Sequence, residues 1–114
     1  MMLDWNEYQK QLSATQAQIG RSNREILKGY RELSAAGNST NLLGAKFREL
    51  IALAVAVTRQ CDGCIAVHTE AAIREGATRD EIVEALGVAV AVNAGAALIF
   101  SSRVMDAFNT KTAG

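Results

Sequence analysis

A chain of 114 residues in which twelve Lys and Arg balance twelve Asp and Glu carries no net charge, which excludes the basic footprint expected of a nucleic-acid binder. This length suits one domain around one core, so residues 1–114 are expected to form a single unit. Hydrophobic residues make up 49% of the chain, Ala, Leu, Ile and Val dominate them, and proline is absent; that composition favours an all-α fold over a sheet.

The start, Met1-Met2-Leu3-Asp4-Trp5-Asn6-Glu7, has an early acid and no basic-then-apolar progression, so no secretory signal is read here and a cytoplasmic location is expected. Trp5, Tyr8, Leu12 and Ile19 form a narrow helical stripe, read as core or subunit contact, and Ile26, Leu27, Tyr30 and Leu33 form a second. Gly20-Arg21-Ser22-Asn23 is expected to bend or break this stretch, and Ala36-Gly37-Asn38-Ser39 to end a helix in a turn. Residues 50–57 are eight consecutive apolar positions behind Lys46-Phe47-Arg48-Glu49. A helix so apolar must be covered on several sides, by its own domain or by another subunit.

That third helix should end near Thr58-Arg59-Gln60, with the Cys61-Asp62-Gly63-Cys64 motif opening a fourth that closes at Gly76. Thr78-Arg79-Asp80-Glu81 reads as a capping box that starts a fifth. The Ala- and Gly-rich residues 89–97 permit close helix approach, and a break is expected at residues 93–95. A sixth helix would then carry Leu98, Ile99, Phe100, Val104 and Phe108. The uncharged stretch over residues 86–102 falls short of the ~20 residues of a membrane span, so no membrane partner is expected.

On a helix, positions 61, 64 and 68 share one face, which brings Cys61, Cys64 and His68 together. A helix N-terminus favours thiolate over thiol, and a histidine one turn below Cys64 can take the thiol proton or protonate a leaving alkoxide. A dithiol supplies both halves of a peroxide reduction: one thiolate attacks oxygen and becomes a sulfenic acid, and the other condenses on it to form a disulfide. The competing readings are two small buried hydrophobes, a zinc site that would enlist Glu49, and, for Glu49 itself, an ordinary solvated first turn. Nothing in the pattern calls for a cofactor or a metal.

The segments Arg48-Glu49-Leu50-Ile51-x-Leu53-Ala54-Val55, Cys61-x-x-Cys64-Ile65-x-x-His68 and Gly76-Ala77-Thr78 with Glu81-Ile82 resemble the carboxymuconolactone decarboxylase-like family, specifically its alkylhydroperoxidase D (AhpD) branch. The resemblance runs over residues 42–108, taken as the core; residues 1–40 match only in being helical. It implies about six helices with the CxxC at the start of a central one, and assembly as a trimer or hexamer. It also implies Cys64 as nucleophile, Cys61 as resolving thiol, His68 as acid/base and Glu49 as proton relay. The implied reaction is hydroperoxide reduction, without cofactor, by a dithiol donor such as a dihydrolipoyl protein. The AhpD pattern has a second histidine between the cysteines, where this chain has Gly63. The alternatives are a decarboxylase-like enzyme acting on a small organic acid and a non-catalytic oligomeric or zinc-binding module.

Overall fold

The computed structural model describes residues 1–113, and within them every element is helical: α1 Trp5–Ser22, α2 Arg24–Ala35, α3 Gly37–Thr40, α4 Ala45–Thr58, α5 Asp62–Arg74 and α6 Arg79–Thr112. Asn23 makes the break foreseen after Gly20. Its N–H closes α1 on Ile19 O at 2.8 Å, while its side-chain oxygen accepts the Glu25 N–H at 3.1 Å to open α2. The turn foreseen at residues 36–39 is wound into the single-turn α3. Arg48 holds that turn against α4 by donating to the side-chain oxygens of Asn38 and Asn41, at 2.9 and 2.8 Å.

The centre is α4, packed against α5 on one side and the first half of α6 on the other. Leu50, Leu53 and Ala56 of α4 are buried, opposite Ala66, Ala71 and Ala72 of α5 and Ala89 of α6. Alanine on the facing helices lets the axes approach closely, so a few leucines fill the space between them. The helix α1 lies on α5 and buries none of its own residues.

The expected break at residues 93–95 does not occur: α6 is one helix of 34 residues, about 51 Å long. Asn93 is absorbed without interruption, because its Nδ2 donates to Ala89 O at 2.7 Å one turn back and to Thr58 Oγ1 of α4 at 2.8 Å. Gly95 is flanked by alanines, the best helix formers, which offset its own weak propensity. The expected sixth helix is therefore the distal half of α6, and it projects beyond the rest of the chain. There Leu98, Ile99 and Phe100 are 74, 75 and 65% exposed. By length and composition alone α6 could also cross a membrane, which the uncharged stretch over residues 86–102 did not suggest.

The extension is visible in the dimensions. A compact monomer of this mass exposes about 6,100 Å² and has a radius of gyration near 13 Å. This chain exposes 9080 Å² and has a radius of gyration of 19.0 Å.

Candidate active site

The site begins with how α4 ends. The N–H of Gln60 returns to Val57 O at 3.2 Å and that of Cys61 to Ala56 O at 3.1 Å, the paired bonds of a Schellman turn. Closing it puts Gln60 in the left-handed region at φ 52°. Cys61, extended at φ −104° and ψ 98°, is thereby delivered as the N-cap of α5, and its sulfur accepts the Cys64 N–H at 3.2 Å. One sulfur thus stands in for the oxygen that usually caps a helix.

Cys61 and Cys64 are joined in a disulfide, with Cα atoms 5.2 Å apart, inside the ordinary range for such a bridge. One turn along α5, His68 Nδ1 meets Glu49 Oε2 of α4 at 2.6 Å, with both side chains about three-quarters buried. With the carboxylate ionised, Nδ1–H donates to it and Nε2 is the nitrogen left for other work. The four residues singled out in the sequence therefore stand as two bonded pairs at one α4–α5 junction. Neither sulfur is hydrogen-bonded to His68 or Glu49. The bland reading of Glu49 as a solvated first-turn residue does not fit its pairing with His68.

Comparison with known proteins accounts for this architecture. The model of the carboxymuconolactone decarboxylase family matches residues 24–107. The chain belongs to that family. Its relatives include an uncharacterized protein of Haemophilus influenzae, 42% identical over 113 residues, which covers 99% of this chain and 100% of the relative. An "uncharacterized protein 4 in cox locus" of Paracoccus denitrificans is 36% identical over 93 residues, 82% of this chain and 84% of that one. Among solved structures, a carboxymuconolactone decarboxylase family protein from Legionella pneumophila in its apo form superposes with a TM-score of 0.74 at 32% identity, over 93% of this chain and 95% of that one.

In this family member α5 starts at the disulfide and ends in a second Schellman turn. There Gly76, at φ 85°, sends its N–H to Ile73 O, and Ala77 sends its own to Ala72 O. The expected capping box then launches α6, with Glu81 N–H donating to Thr78 Oγ1 and Thr78 N–H to Glu81 Oε1. Glu81 also accepts from Lys46 Nζ of α4 at 2.8 Å. That lysine, with the Thr78 N–H, holds the Glu81 carboxyl below the ordinary carboxylate value. Among the described residues, no group of three or more His, Cys, Asp or Glu side chains is placed to hold a metal ion.

Two residues of the site were not foreseen. Gln60 gives no sign of its left-handed conformation, because glycine is the usual marker of such a position. Leu12 of α1 occupies the space in front of Gly63: a Cβ on that glycine would stand 2.7 Å from Leu12 Cδ2. The only hint of that contact was the glycine itself.

Proposed function

We propose that this protein is a thiol-dependent hydroperoxide reductase of AhpD type, cycling Cys61 and Cys64 between dithiol and disulfide. The observation that carries the reading is the disulfide at the start of α5 beside a partly buried His68–Glu49 pair. In the reduced protein the Cys64 thiolate attacks the outer oxygen of the hydroperoxide. The O–O bond breaks, Cys64 becomes a sulfenic acid, and the departing alkoxide takes a proton from His68, which Glu49 orients. Cys61 then attacks the Cys64 sulfur, forming the disulfide and releasing water.

The capping bond favours this division of labour. A thiolate on Cys61 would accept the Cys64 N–H at the positive end of α5. Cys61 is therefore suited both to resolve the sulfenic acid and to leave when a reductant attacks Cys64. A dithiol reductant completes the cycle in one encounter: its first sulfur forms a mixed disulfide with Cys64, and its second displaces Cys64 and restores the pair. A dihydrolipoyl protein supplies that chemistry. Such a cycle belongs in the reducing cytoplasm.

The surplus of about 3,000 Å² over a compact monomer, to which the apolar distal half of α6 contributes, supports a homo-oligomer, and the family resemblance points to three or six copies. A single exposed apolar helix on a family fold is accounted for by subunit contact.

The reading is tested on reduced protein mixed with one equivalent of hydroperoxide. Mass spectrometry should show loss of two hydrogens. Cys61→Ser should stop at a gain of one oxygen on Cys64, trapped by dimedone, and Cys64→Ser should consume no peroxide. Survival of both free thiols overturns the proposal.

A further inference from the structure

We propose that Leu12 is a specificity-determining residue: with α4 it frames the approach to Cys64 and sets the size of reactant that reaches the sulfur. The inference rests on the dithiol reading for the identity of the reacting atoms. It starts from the contact at Gly63, where Leu12 Cδ2 fills the place a side chain would take. Successive residues of a helix are rotated by about 100°, so Cys64 lies 100° around the α5 axis from Gly63, and His68 about 40° further on. His68 is turned to Glu49 of α4. Cys64 therefore sits between a flank covered by α4 and a flank covered by Leu12, and a reactant must enter between them.

The wall is adjustable. Leu12 is half-buried, and no residue of α1 is fully buried. This contact and the Gln9 Nε2 to Glu70 Oε2 bond at 2.7 Å hold α1 along α5, and further along Trp5, Ile65 and Ile73 line a cavity between the two helices. A side chain at position 63 would belong to the helix that carries the sulfur. Leu12 is contributed by a separate helix, so the width of the approach can be changed at residue 12 with the cysteine motif left intact.

The test measures access without requiring peroxidase activity. Reduced protein is alkylated with iodoacetamide and with fluorescein maleimide, and the ratio of the two rates at Cys64 is compared between variants. Leu12→Ala should raise the bulky-to-small ratio about tenfold, the scale expected when a few methylenes leave a pocket wall, and Leu12→Phe should lower it. Gly63→Ala alone should raise it by displacing Leu12; added to Leu12→Ala it should lower the ratio again, because its methyl fills the vacated space. Gln9→Ala, which removes one tether of α1 and keeps the Leu12 side chain, should raise the ratio by much less than Leu12→Ala. An equal rise in Gln9→Ala, or no change in either Leu12 variant, overturns the inference. If Leu12→Ala does not fold, as judged by circular dichroism, Leu12→Phe alone decides by its sign. Parallel single-turnover rates with cumene hydroperoxide and hydrogen peroxide should follow the same order. Shifted alkylation without peroxide consumption would retain Leu12 as the wall while sinking the peroxidase reading.

Discussion

Gln60 and Gly76 occupy the same place in two successive helix ends, each at the left-handed position of a Schellman turn, yet only one of them is glycine. A non-glycine residue there costs about 1–2 kcal/mol, and glycine returns about 0.4–1 kcal/mol of that through the freer unfolded chain. Gln60→Gly should therefore stabilise the protein by about 0.5–1 kcal/mol, read as a higher urea midpoint at unchanged slope. Gly76→Ala should do the opposite, by about 1 kcal/mol. Glu49 carries a different expectation. Glu49→Gln keeps a hydrogen-bonding side chain beside His68 but removes the charge that orients and supports the ring. Single-turnover peroxide reduction should slow by about 10- to 100-fold while the far-ultraviolet spectrum stays the same. The grouping of His68 with the cysteines was legible because all three lie at helical spacing. Glu49 was reached only through the family resemblance, because its partner sits nineteen positions away and only the α4–α5 packing brings them together.

The helix ends were the most legible elements, since caps are written in a few adjacent residues. Asn23, Gly76 and the Thr78 box all stand where the sequence placed them, and Thr78→Ala should cost about 1 kcal/mol in thermal or urea unfolding. The start of α6 is also an acid-sensitive joint. Glu81 is held below its ordinary value by Lys46 and the Thr78 N–H, so its contribution is complete above the usual carboxylate range and is lost as pH falls through the lowered folded value. Wild type should thus exceed Glu81→Gln in melting temperature at about pH 7, and the gap should close toward about pH 3. What the sequence misplaced was the middle of α6. Asn and Gly signal breaks in isolation, but Asn93 finds acceptors on its own preceding turn and on Thr58, and only the second of these depends on tertiary structure. The stripes of α1 and α2 had the right period and little burial, because periodicity shows that a face will be covered and not by what.

At the scale of the whole molecule, α6 extends past the packing of its own chain. Its first half completes the packing on α4, and its distal half carries Leu98, Ile99, Phe100, Val104 and Phe108 into the open. Phe100→Glu should shift the protein to a smaller species in sedimentation, with little change in helix content in the first half of the chain; unchanged sedimentation would remove the case for subunit contact along this helix. Composition foretold helices, and the apolar run at residues 50–57 foretold a need for cover, but the scale of the unmet demand emerged only with the lengths of the elements. The backbone around Cys61 and Cys64, by contrast, is held by local bonds. The bonds from Cys61 N to Ala56 O, from Cys64 N to Cys61 Sγ and from Ile65 N to Cys61 O hold both cysteines within a single turn of backbone. None of these bonds requires the sulfurs to be joined. In the proposed cycle each oxidation and reduction therefore proceeds with almost no mechanical work, and the free energy of peroxide cleavage is left to the chemistry instead of being spent on moving helices.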